Sequence, residues 1–175
     1  SQCMNAGPRL WAAEQLIGHP TPLISDLSRA HYVLLLSGAQ RELGWGPHTA
    51  GMGHEAELQH SRKTKGTKVV VADPRATELA TTMDGHLQIR PGTEPFLMLG
   101  MLSAIVRGGW TDAQFIRDYT QGYAALEQHI APWDVERCAA ICGIEAPELS
   151  GVALKFSRSA MAVIHPAAHS FNNAA

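Results

Sequence analysis

Two short apolar runs frame this chain. Residues 31–37 read His-Tyr-Val-Leu-Leu-Leu-Ser and stop at Gly38, and residues 67–72 read Thr-Lys-Val-Val-Val-Ala between Gly66 and Pro74. Both are too short and too continuously apolar for a surface helix. They predict buried strands of the kind found in parallel sheets. Between them, residues 53–65 are polar and rich in helix formers such as Glu55, Ala56, Glu57 and Leu58. Strand, helix and strand together predict a right-handed βαβ unit. Residues 86–90, His-Leu-Gln-Ile-Arg, alternate and predict a third, half-buried strand that Pro91 and Gly92 end.

The remainder is mostly helical in pattern. Thr93 is placed to cap a helix over 94–107, which Gly108-Gly109 stops. Thr111 is expected to cap 112–119, and a helix over 123–130 follows. Pro132 opens 133–141, with Gly143 at its C-cap, and another helix covers 147–158. Residues 160–165 read as a last strand, stopped by Pro166. The expected fold is α/β: one Rossmann-like open, mostly parallel sheet flanked by helices, with residues 1–175 as a single domain and no internal repeat.

Composition narrows the function classes. Charged residues are 17% of the chain, below the roughly 25% of an ordinary soluble domain. Part of its surface is therefore expected to be covered by neighbours. The net charge of −2 offers no basic excess for nucleic acid. No apolar run approaches the roughly 18 residues of a transmembrane helix. Three cysteines, Cys3, Cys138 and Cys142, make no disulfide framework, and the absence of CxxC spacing excludes a zinc ribbon or thioredoxin-type site.

Candidate chemistry gathers where the strands end. Gly38-Ala39-Gln40, Asp73-Pro74-Arg75-Ala76-Thr77 and Arg90-Pro91-Gly92-Thr93-Glu94 each follow a predicted strand. Open α/β sheets bind ligands at the carboxyl ends of their strands. Gly92 admits close backbone approach, and Thr93 offers a hydroxyl at a helix N-terminus, which suits a phosphate or pyrophosphate. A carboxylate at Asp73 or Glu94 accepts hydrogen bonds from a ribose or from the N–H edge of guanine. Adenine presents an acceptor there instead. Taken alone, each turn also reads as an ordinary strand end or helix start. Neither GxGxxG nor GxxxxGK[ST] is present.

The wording of these turns carries more. The run from Lys65-Gly66 through the apolar strand to Asp73-Pro74-Arg75-Ala76-Thr77, then Asp84, then Arg90-Pro91-Gly92-Thr93-Glu94, resembles the dimethyl sulfoxide reductase family. Trp110-Thr111-Asp112, Thr120-Gln121-Gly122-Tyr123 and Ile141-Cys142-Gly143-Ile144 extend the resemblance over nearly the whole chain. It implies a molybdenum or tungsten bis(molybdopterin guanine dinucleotide) cofactor. It implies that Asp73, Arg75, Thr77, Gly92, Thr93 and Glu94 line the nucleotide part of one pterin, and that Gly38 and Gln40 match a Gly-x-Asn turn. Gln40 stands where Asn is usual and Glu94 where Asp is usual. Each keeps its functional group and adds a methylene.

The resemblance also gives Cys3 a role. Its Cys-Met-Asn-Ala setting, tens of residues before Gly38, is similar to the segment that supplies a thiolate metal ligand in nitrate reductases. Soft sulfur suits a metal already held by dithiolenes. The alternative is a buried structural cysteine. Cys138 and Cys142, four apart on a predicted helix, read as core packing. His165 with His169 makes a poor metal pair because Pro166 interrupts a helix there, and the four tryptophans read as packing anchors.

The implied enzyme is a molybdopterin-dependent oxidoreductase of which this chain is a fragment. Its substrate is expected to be a small N- or S-oxyanion or a related substrate, of the nitrate, polysulfide, thiosulfate or tetrathionate type. Expected partners are the remainder of the catalytic subunit and an iron–sulfur electron-transfer subunit, with an iron–sulfur cluster in the missing N-terminal part. Its compartment is left open between periplasm and cytoplasm. Two other classes stay in view: a free-standing nucleotide-binding module, and a degenerate structural domain without redox activity.

Overall fold

A computed structural model of the protein describes residues 2–21, 25–36 and 54–166. Four strands, β1 (Tyr32–Leu36), β2 (Lys68–Ala72), β3 (Gly85–Leu87) and β4 (Ala162–Pro166), form one sheet in the order β3-β2-β1-β4. Every pairing is parallel, with Tyr32 opposite both Lys68 and Ala162. The described helices are α1 (Gln2–Ile17), α2 (His54–Lys65), α3 (Glu78–Thr82), α4 (Glu94–Arg107), α5 (Ala113–Tyr119), α6 (Tyr123–Ile130), α7 (Val135–Cys142) and α8 (Ala146–Arg158). The α/β class read from the sequence is the one observed.

Helices cover both faces of the sheet. Tyr32, Leu34, Leu36, Val70, Ala72 and Leu87 pack on one face with residues of α4, α7 and α8. Val33, Leu35, Val69 and Val71 point the other way, onto Leu58 of α2 and Leu79 and Ala80 of α3. Successive strand residues face opposite sides, so a strand covered on both sides must be apolar throughout. All five residues of β1 are buried.

Close helix packing sets the thickness of the first face. A Cβ on Gly100 of α4 would lie 2.7 Å from Cys138 Cβ and 2.8 Å from Leu149 Cδ1. Only the absence of a side chain lets α4 meet α7 and α8 so closely. Two buried hydroxyls in the core are satisfied by backbone: those of Ser61 and Thr67 both reach the Ala30 carbonyl, at 3.2 and 2.7 Å.

Several local expectations shift. The third strand is Gly85–Leu87 rather than 86–90. Gln88 turns away to donate to the Pro74 carbonyl, and the Arg90 N–H leaves the ladder for the Cys142 carbonyl. Asp112, not Thr111, caps α5 by accepting from Phe115 N at 2.8 Å. Asp134 caps α7 by accepting from Arg137 N at 2.7 Å, so that helix begins at Val135. α1 and the five-residue α3 had no expected counterpart. Trp133 does anchor packing, with its ring 5.4 Å from Phe96. Trp11 is 64% exposed and anchors nothing of that kind among the described residues.

Candidate functional site

Because β1, β2 and β3 are parallel neighbours, their carboxyl ends share one edge of the sheet. For the turns after β2 and β3, the gathering at one edge expected from the sequence follows from this order. Gly38 and Gln40, in the turn after β1, lie outside the described residues. The turns after β2 and β3 are both described.

Asp73 closes β2 and is almost wholly buried, at 1% exposure. Its N–H donates to the Leu87 carbonyl at 3.1 Å, and its own carbonyl lies 2.9 Å from His86 Nε2. Those contacts bind the end of β2 to β3. The carboxylate turns back on the chain: Oδ1 accepts the Arg75 N–H at 2.8 Å, the side-chain-mimicked turn that aspartate favours. The Arg75 Nε is 3.6 Å from the same oxygen, and its side chain is 60% exposed. A buried carboxylate thus fixes the turn, and a cation extends from it. The Thr77 hydroxyl accepts from Ala80 N at 3.2 Å and caps α3.

Asp84, a further position of the sequence pattern, works within the sheet. Its Oδ2 accepts the Val69 N–H at 3.0 Å and its Oδ1 meets Lys68 Nζ at 3.0 Å. Burial alone would raise this carboxyl. The Val69 N–H, Lys68 and Arg62 outweigh it and hold the group below the ordinary aspartate range.

The turn after β3 runs from Arg90 into α4. Gly92 sits at φ +80, a left-handed conformation that suits glycine. The Thr93 hydroxyl donates to the Arg90 carbonyl at 2.7 Å and makes no cap bond to α4. This differs from the capping role expected of it: ψ near 7° at Thr93 is not the extended cap geometry. Glu94 is the first residue of α4 and is buried, at 5% exposure.

Cys138 and Cys142 are both buried in the core beneath α4. Burial raises both thiols above their usual range, and for Cys142 the hydrogen bond to Thr93 only partly opposes this. They behave as packing groups, as their spacing predicted. Among the described residues no group of three or more His, Cys, Asp or Glu side chains is placed to hold a metal ion. The backbone of Cys3 lies in α1. His86, which sequence reasoning left without a role at the site, proves to shape the edge through the Asp73 carbonyl, and Cys142 sits beside Thr93 in addition to its packing role.

A parallel sheet covered on both faces, with polar turns collected at its strand ends, defines the open α/β class that binds ligands at that edge. No protein-family model matches the chain. It is 37% identical over 83 residues to the F420-dependent formate dehydrogenase subunit alpha of Methanocaldococcus jannaschii, covering 47% of this chain and 12% of that protein. It is 31% identical over 100 residues to the acetylene hydratase of Syntrophotalea acetylenica and 32% identical over 95 residues to the nitrate reductase of Synechocystis. Those matches cover 14% and 13% of the relatives. The solved acetylene hydratase from Pelobacter acetylenicus shares the fold with a TM-score of 0.80 over 95% of this chain and 22% of that one, at 22% identity. The matched relatives thus include a formate dehydrogenase, a nitrate reductase, a trimethylamine-N-oxide reductase and an acetylene hydratase, and at the level of this domain the chain matches the dimethyl sulfoxide reductase family. It spans only a small part of the relatives' length.

Proposed function

We propose that residues 1–175 form one domain of a larger catalytic subunit and bind the guanine dinucleotide part of a pyranopterin. The parent is a molybdenum or tungsten bis(molybdopterin guanine dinucleotide) oxidoreductase. The observation that carries this reading is the juxtaposition of two turns on adjacent parallel strands. One holds the buried carboxylate of Asp73 beside the exposed Arg75, and the other holds Gly92, Thr93 and Glu94 at the start of α4.

The donor set fits the group. Arg75 extends a guanidinium from the end of β2, where a phosphate is matched by its fork of N–H donors. Gly92 removes the side chain that would stand between the backbone and a pyrophosphate, and α4 turns its positive N-terminus to the same turn. Asp73 and Glu94 supply acceptors for ribose hydroxyls or the guanine N–H edge. Thr77 retains its hydroxyl proton while capping α3, and Thr93 retains its lone pairs while donating to Arg90. In the bound state the metal supplies two-electron redox chemistry, and this chain binds and orients the cofactor. The resemblance adds Gly38 and Gln40 to the cofactor-binding residues, and Cys3 would supply the thiolate to the metal. The Cys3-Met4 wording supports a nitrate-type or sulfur-oxyanion substrate, and the family resemblance supports an iron–sulfur partner subunit.

The test is metal and nucleotide analysis of the purified full-length parent, made in a host that synthesises the cofactor. Molybdenum or tungsten, with two guanine nucleotides released per metal on acid hydrolysis, is expected. Absence of both metals overturns the proposal.

A further inference from the structure

The strand-ending Arg90 invites reading as a phosphate ligand, but its contacts lie elsewhere. Its Nη1 donates to the Ala140 carbonyl at 2.8 Å and to the Ile141 carbonyl at 3.2 Å, in the last turn of α7. Its backbone N–H donates to the Cys142 carbonyl at 2.7 Å. From the other side, Cys142 Sγ approaches the Thr93 carbonyl at 3.5 Å. Gly143, at φ +78, ends α7, and a Cβ there would come within 3.0 Å of Arg90 Nε. Four contacts thus tie the turn at 90–94 to the carboxyl end of one helix.

The chemistry explains the arrangement. The last carbonyls of a helix have no partner within it and carry its partial negative charge. A guanidinium satisfies two of them at once. α7 is itself fixed in the core by Cys138, Ala139 and Cys142. The turn therefore takes its position from a rigid element and not from its own short loop.

We infer that Arg90 and Cys142 are positioning residues that clamp the 90–94 turn onto α7, setting where Gly92, Thr93 and Glu94 meet the nucleotide. This inference rests on the function proposed above. Both act through the turn.

Arg107 provides a matched control, since its Nη2 donates to the Ala131 carbonyl at 2.8 Å beyond the end of α6, at the opposite end of α4. The experiment measures the rate at which the intact, cofactor-loaded parent releases guanine nucleotide, alongside its melting temperature. Arg90→Met and Cys142→Ala are expected to speed release by about tenfold, the usual scale for losing a group that orients a ligand-binding one. Cys142→Ser keeps a donor to Thr93 and is expected to restore slow release. Arg90→Lys, which retains charge without the fork, covers the case in which Arg90→Met does not fold, and it is expected to fall between parent and Met. Arg107→Met is expected to lower the melting temperature while leaving release unchanged. Parental release rates in Arg90→Met, or in Arg90→Lys where that is the variant that folds, overturn the clamp while leaving the proposed function intact. Equal acceleration by Arg107→Met does the same. A parent that holds no guanine nucleotide overturns both.

Discussion

The imidazole of His86 lies 2.9 Å from the carbonyl oxygen of Asp73, across the boundary between two parallel strands. Together with the Asp73 N–H on the Leu87 carbonyl, it makes the end of β2 and the end of β3 one unit. A change at Asp73 is therefore felt in two ways, through the turn it shapes and through any ligand its carboxylate receives.

Those two effects separate in Asp73→Asn. The amide oxygen can still accept the Arg75 N–H, so the turn is kept and the melting temperature is expected to move little. The lost charge removes a charge-assisted hydrogen bond to the cofactor of about 1.5–3 kcal/mol, roughly ten- to a hundredfold in affinity. Cofactor content of the purified parent, measured against melting temperature, checks this. A large thermal loss with parental occupancy makes Asp73 purely structural.

Gly100→Ala is expected to destabilise the domain, against the usual gain of an alanine in a helix. That gain is about 1 kcal/mol. The new methyl would stand 2.7 Å from Cys138 Cβ and 2.8 Å from Leu149 Cδ1, and overpacking of this kind costs about 1–3 kcal/mol. Denaturant unfolding reads the net sign, and a stabilised variant contradicts the packing described for α4.

Tyr32 predicts alkaline sensitivity. Burial, with a further push from the Asp84 charge, raises its phenol to about 12. The folded state therefore holds the proton more tightly than the unfolded chain, whose tyrosine titrates near 10. The stability tied to the neutral phenol is complete below about pH 10 and is lost as pH rises through 12, on the order of 2 kcal/mol. The hydroxyl has no hydrogen-bond partner among the described residues. Tyr32→Phe is thus expected to leave neutral-pH stability equal or higher and to flatten its decline between pH 10 and 12. Unfolding curves at pH 8, 10 and 11.5 decide it.

Asp84 predicts the acid counterpart. Its carboxyl is held low in the fold, so its contribution is present above about pH 4, where unfolded aspartate is ionised, and is lost as pH falls through the depressed folded value. Asp84→Asn is expected to lower stability at pH 7 and to weaken the acid dependence. An unchanged profile between pH 6 and 2 shows the contacts to Val69 and Lys68 to be without energetic weight.

Much of this arrangement was legible in the residues, for identifiable reasons. β1 and β2 are buried on both faces, and that demand writes a continuous apolar run into the sequence. α4 and α6 matched their expected limits because glycine or proline stands at their boundaries. β3 did not match, because Ile89 is apolar and buried yet outside the ladder: alternation records burial and not hydrogen bonding. α3 has only five residues, too few for a helical period to show. The strand-end turns could be found from residue type and order. The Arg90 contacts to α7 join positions about 50 residues apart, and no local pattern in the sequence encodes them.

The parallel pairing of β1 with β4 has a consequence in time. Tyr32 takes Ala162 as its neighbour, about 130 residues further along the chain. At a synthesis rate of about 5–20 residues per second, β1 waits roughly 7–25 s for that partner to be made. Until then one side of a wholly apolar strand has no ladder to join. Contacts of such long range close slowly in any case. The nascent chain is exposed to mispairing over this interval, and its folding yield is expected to depend on how fast it is translated and on chaperones that shield β1.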